Sequence, residues 1–158
     1  MFDNNKTFVD GNLLFFNDIS PTKFNLIAHD KNKDLAILSF VSSRKLECIK
    51  ISANEPHIGD SVYNIAFQNG ISISTCEGLI SNPNKVYMDN EYIEVSIASY
   101  PGCSGSPILN KNFECVGIVS RSLNDRNGKT INNLNWAVAN TTIIDFLDEN
   151  NKKMEADI

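Results

Sequence analysis

No apolar run in this 158-residue sequence approaches the roughly eighteen residues that a membrane-spanning helix needs, so no membrane partner is expected. Nor is there an apolar stretch behind Met1, Phe2, Asp3, Asn4, Asn5 and Lys6 of the kind that marks a secretory leader. With cysteine usage, this slightly favours a cytoplasmic location. Basic residues are in deficit: 14 Lys and Arg against 19 Asp and Glu leave a net charge of −5. A nucleic-acid grip needs clustered cations, so no nucleic acid is expected either. The four cysteines, Cys48, Cys76, Cys103 and Cys115, never stand two residues apart, and neither histidine neighbours a pair of them. That spacing excludes the usual zinc sites, and no metal or cofactor is expected. The cysteines read mostly as small buried apolar side chains.

What the sequence does have is a succession of short β-rich runs between turn-formers. They cover 13–16, 24–27, 35–41, 45–51, 61–67, 71–80, 86–87, 92–97, 106–109, 115–122 and 135–139. Loops are expected at 68–70, 82–84 and 110–112, where Asn, Gly and Pro gather. Short strands at this spacing indicate an all-β sandwich or barrel. One helix closes the chain. Thr142 and Asp145 read as a capping box, and Ile143, Phe146 and Leu147 share a face. A polar, frayed tail is expected from 148 to 158.

The most informative residues are Pro101, Gly102, Cys103, Ser104, Gly105, Ser106 and Pro107. Gly102 allows the backbone to turn so that amide N–H groups converge, and Gly105 removes a side chain beside the serine hydroxyl. Converging amides can stabilise the oxyanion formed when a serine attacks a carbonyl. Gly-x-Ser-Gly alone also describes an ordinary tight turn. The longer string, with the apolar strand of Ile108 and Leu109 and then Val116, Gly117 and Ile118, resembles the active-site segment of trypsin-like serine proteases, the HtrA/Deg branch above all. The resemblance implies that Ser104 is the nucleophile and that the N–H groups of Gly102 and Ser104 form the oxyanion hole. Cys103 stands where the family usually carries Asp or Asn. It could be suspected as the nucleophile, but the slot followed by glycine belongs to Ser104.

A second string, Asp30 through Asp34 followed by Leu35, Ala36, Ile37 and Leu38, resembles the family segment whose aspartate orients the catalytic histidine. That role falls on Asp34, seventy positions before Ser104, and a carboxylate there is expected to be buried against the core. Asp30 reads as a solvated turn residue. The family's histidine lies about thirty or more residues before this aspartate. Counting back from Asp34 leads to Asn4 and Asn5 or beyond, where no histidine occurs. His29 and His57 stand elsewhere, the latter in a segment resembling a surface Gly-Asp turn of the family.

The resemblance implies an all-β, trypsin-like double β-barrel with an incomplete first barrel and a C-terminal helix. It assigns 1–58 to a partial first barrel and 59–147 to the second barrel and helix, the whole 1–158 being one domain. An N-terminally truncated chain is the expectation. The substrate would be a peptide or protein. Its P1 side chain, small or medium and apolar, would sit between strands around Val119, Ser120 and Ala137, with Ser96 and Ala98 near the base. Two functions compete: a serine endopeptidase that forms an acyl-enzyme on Ser104, and an inactive pseudoprotease that holds peptides or acts as a scaffold. A β-rich binding domain unrelated to proteases would have Ser104 buried and far from Asp34.

Overall fold

The computed structural model describes residues 12–13, 22–87, 89–98, 100–124, 127 and 130–156. Ten strands and one helix follow in order: β1 (Asn12–Leu13), β2 (Thr22–Lys23), β3 (Asn25–Asp30), β4 (Leu35–Ser39), β5 (Ser61–Gln68), β6 (Ser72–Tyr87), β7 (Asn90–Val95), β8 (Pro107–Leu109), β9 (Cys115–Asn124), β10 (Thr130–Ala139) and α1 (Asn140–Ala156). Six of the strands close into a barrel in the order β10-β7-β6-β5-β8-β9, while β1-β2 and β3-β4 form two-stranded sheets. This is the all-β barrel architecture with a C-terminal helix read from the sequence. Of the strand expected over 13–16, only Leu13 lies within the described residues.

The barrel follows from strict alternation. On β5, Val62, Asn64 and Ala66 point inward and are buried, while Ser61, Ile65 and Phe67 are exposed. Val62 and Ala66 meet Ile80, Ile93, Val95, Ile108 and Val116 of the other strands, and Ile97 just beyond β7, in one continuous core. A second cluster lies outside the barrel wall. There Ala28 and Leu35 of the β3-β4 hairpin pack with Tyr92, Trp136 and Val138 of the barrel and Ile143 and Phe146 of α1. This cluster holds the β3-β4 hairpin, and hence Asp34 in its turn, against the barrel.

Several elements depart from expectation. The 45–51 segment is not a strand: it makes one isolated bridge, Ile51 to Cys115, and most of its side chains are exposed. Among the described residues it pairs with no strand beyond that bridge. The loop expected at 82–84 is part of β6. Register shifts either side of Asn82 absorb Pro83 there, as an irregularity in the ladder can, since proline offers no N–H. The helix begins at Asn140, so Thr142 and Asp145 lie inside it rather than at a capping box. Asn140 is buried instead, its amide donating to the carbonyls of Ser52 at 2.8 Å and Asn54 at 3.1 Å. The segment expected as a frayed tail continues the helix to Ala156. Asn150 donates to the Phe146 carbonyl at 2.8 Å and Lys153 to the Asn150 side chain at 3.0 Å, which steadies the last turns. Among the described residues, no helix is long and apolar enough to cross a membrane.

Candidate active site

The 101–107 loop connects β7 to β8 across one end of the barrel. Gly102 and Gly105 have φ of +96° and +84°, conformations that side chains other than glycine rarely adopt. At Gly102 the requirement is twofold, because a Cβ there would lie 2.3 Å from the Phe67 carbonyl oxygen. The β5-β6 turn therefore presses directly on the loop, and the Asn69 N–H donates to the Pro101 carbonyl at 2.6 Å. From below, the buried Asn64 amide donates to Ser106 Oγ at 2.7 Å and to the Pro107 carbonyl at 2.9 Å. Ser106 Oγ in turn donates to the Cys103 carbonyl.

Within this frame Ser104 is exposed and Cys103 is fully buried. The Cys103 N–H donates to the Tyr100 carbonyl at 3.0 Å, and its sulfur accepts the Tyr100 N–H at 3.4 Å. Cys103 is thus the inward-facing pivot of the turn, and the serine is what the turn presents to solvent. Among the described residues, the N–H groups of Gly102 and Ser104 enter no backbone hydrogen bond.

Asp34 closes the β3-β4 turn in a left-handed conformation, φ +57°, which aspartate tolerates better than most residues. Asp30 Oδ1 accepts the N–H groups of Asn32 at 2.8 Å and Lys33 at 3.1 Å, as a turn residue should. Lys33 reaches Glu149 of α1 at 2.8 Å, and the Asn90 amide donates to the Asn32 carbonyl at 2.9 Å. The turn is therefore pinned on two sides. Asp34 itself is exposed, not buried as expected, because it lies at the tip of the hairpin rather than within the apolar cluster beneath it.

The contact that sequence reasoning missed is Ser120. Its hydroxyl donates to Asp34 Oδ2 at 2.6 Å. The cause is a β-bulge: Trp136 pairs with Arg121 and Ala137 with Val119, leaving Ser120 as the extra residue of β9. A bulge re-aims the inserted side chain. One residue earlier, the Val119 carbonyl accepts the Gly105 N–H at 2.7 Å and the Val119 N–H donates to the Ser106 carbonyl at 2.9 Å. Ser104 and Asp34 are thereby joined through Gly105, Val119 and Ser120 by two hydrogen bonds. The side chains of Val119 and Ala137 lie in the barrel core, so only their backbone can face a substrate. Ser96 is occupied with the Leu79 backbone, its hydroxyl accepting that N–H at 2.9 Å.

His57 stands apart from this group. His57 is exposed in the turn before β5, its N–H donating to Asp60 at 2.8 Å. The Pro101 and Gly102 part of the Ser104 loop meets the other end of β5, at Phe67 and Asn69. His29 lies in β3 opposite Ala36. A cavity of about 340 Å³ also lies at the His57 end, lined by Ser52, Asp60 and Asn110 among others. It is remote from the serine.

A family model described as the trypsin-like peptidase domain matches residues 4–118. A DegP-like periplasmic serine endoprotease of Pseudomonas putida is 32% identical over 110 residues, covering 66% of this chain and 22% of that protein. The corresponding protein of Pseudomonas fulva is 28% identical over 138 residues, 84% of this chain and 28% of that one. That of Halomonas elongata is 28% identical over 141 residues, 87% and 29%. The chain thus spans between about a fifth and three-tenths of the length of these relatives. Their names all carry the word periplasmic, which overturns the cytoplasmic expectation: a polar N-terminus and unpaired cysteines are weak indicators of compartment.

Proposed function

The chain belongs to the trypsin-like peptidase domain family, and on that premise we propose that Ser104 is the nucleophile of a serine endopeptidase site acting on peptides or proteins. Ser104 Oγ attacks the substrate carbonyl, and the N–H groups of Gly102 and Ser104 take the negative charge that develops on its oxygen. The C–N bond breaks to leave an acyl-enzyme on Ser104, which water then hydrolyses. Asp34 orients an imidazole that accepts the serine proton and returns it to the leaving amine. The observation that carries this reading is the hydrogen-bonded link from the loop of an exposed serine to an exposed carboxylate through Val119 and Ser120. Among the described residues the second oxygen of Asp34 accepts no hydrogen bond, leaving it able to take an imidazole N–H.

His29 and His57 are not assigned the base. The backbone of β9 around Val119, Ser120 and Arg121 and of β10 around Ala137 is proposed to flank a small or medium apolar P1 side chain. The relatives' names extend the proposal to a periplasmic setting.

A second reading, a pseudoprotease that holds peptides without cleaving them, is favoured by the placement of His57. Cleavage of quenched-fluorescence peptides separates the two. The test compares this chain with a version carrying further N-terminal strands that bring a histidine to Asp34. The extended version is expected to cleave, to lose at least about a thousandfold in Ser104→Ala, and to outpace the 158-residue chain greatly. Failure of the extended version to cleave any peptide would favour the pseudoprotease. Equal cleavage by both chains would place the base on a residue described above.

A further inference from the structure

Arg121 follows Ser120 on β9, so the bulge that directs the Ser120 hydroxyl to Asp34 also fixes where Arg121 emerges. Arg121 is exposed, and its guanidinium carbon stands 5.6 Å from the centre of the Tyr87 ring. Lys85 Nζ stands 5.5 Å from the Trp136 ring. Tyr87 and Trp136 pack together with centroids 5.4 Å apart, and Trp136 meets Tyr92 at 5.7 Å. Aromatic faces attract cations, so these rings hold two positive charges on one outer face of the barrel. Of the neighbouring acids, Glu94 accepts the Trp136 indole N–H at 3.2 Å and one oxygen of Asp34 accepts Ser120. Among the described residues, no carboxylate forms an ion pair with Arg121 or Lys85.

The backbone beside Arg121 is also open. β8 pairs with β9 only from Cys115 to Ile118, and Val119 is bound to the nucleophile loop. From Ser120 to Asn124 the edge of β9 away from β10 has no strand partner among the described residues. An extended peptide whose carbonyl reaches Ser104 can add to that edge as a strand. Its side chains would alternate between the two faces, setting one of them against Arg121.

We propose that Arg121, stacked on Tyr87, selects a substrate with an acidic side chain a few residues from the scissile bond. This rests on the protease reading of the Ser104 cleft. The test is fluorescence anisotropy of short dye-labelled peptides on the Ser104→Ala chain, with Glu compared against Gln at every position in turn. At one position Glu should tighten binding about threefold to fivefold. That preference should weaken with added salt, vanish in Arg121→Gln and turn against Glu in Arg121→Glu. Because Arg121 is exposed, Arg121→Gln should keep the parent's thermal midpoint. Peptides that bind with no acidic preference, or with one that survives in Arg121→Gln, would overturn the proposal and leave the cleft standing. Failure of every peptide to bind would overturn the cleft reading with it.

Discussion

Replacing Gly102 or Gly105 by alanine separates two demands that the nucleophile loop makes on its backbone. Both glycines have positive φ, +96° and +84°. An alanine held in such a conformation costs about 1–2 kcal/mol. At Gly105 nothing lies within 4 Å of an added Cβ, so the backbone cost is the whole of it. At Gly102 the Cβ meets the Phe67 carbonyl oxygen at 2.3 Å, and the obstacle is backbone held within the β5-β6 ladder. Forcing an extra carbon into such a contact adds about 1–3 kcal/mol. Gly102→Ala should therefore be the more destabilising by about 2 kcal/mol, a difference in thermal midpoint of about 4–8 °C for a chain of this size. Urea unfolding and calorimetry on the two variants measure it. Equal destabilisation would refute the claim that the β5-β6 turn seats the loop through Phe67, and with it the account of how the Ser104 backbone is held.

Two further outcomes follow from burial. Asn140→Ala should cost about 2–3 kcal/mol in urea unfolding, because it leaves the buried Ser52 carbonyl and the Asn54 carbonyl without their donor; a loss below about 0.5 kcal/mol would contradict the role given to Asn140. Burial raises the Cys115 thiol above its ordinary 9.0, and burial with the Asp34 charge raises Tyr92 above 10.0 against the opposing pull of Arg121. The folded state then holds protons that the unfolded chain has released, so stability is whole below about pH 9 and falls as pH rises toward the folded values; Cys115→Ala should fall less steeply, and an unchanged slope would count against the thiol.

The barrel was legible because alternation on β5 reports a face toward one core, and α1 because Ile143, Phe146 and Leu147 share a stripe. The 45–51 segment misled for the same reason: it alternates, but strand formation depends on a partner that local sequence does not encode. Pro83 was read as a break because its accommodation rests on register shifts against β7. At the site, Ser104 and Asp34 stood out through their flanking glycines and strand. Ser120 was read as part of a substrate wall. Its contact with Asp34 arises from a single-residue bulge between β9 and β10, set by the packing of two strands and marked by no glycine or proline at that position.

The most direct test of the central claim is covalent labelling with a fluorophosphonate probe, followed by peptide mapping. In a chain with a histidine brought to Asp34, the label should fall on Ser104. It should be lost in Ser104→Ala, persist in Cys103→Ala, and form more slowly in Asp34→Asn. A label that maps to another residue, or that survives Ser104→Ala, would contradict the assignment of Ser104 as the nucleophile.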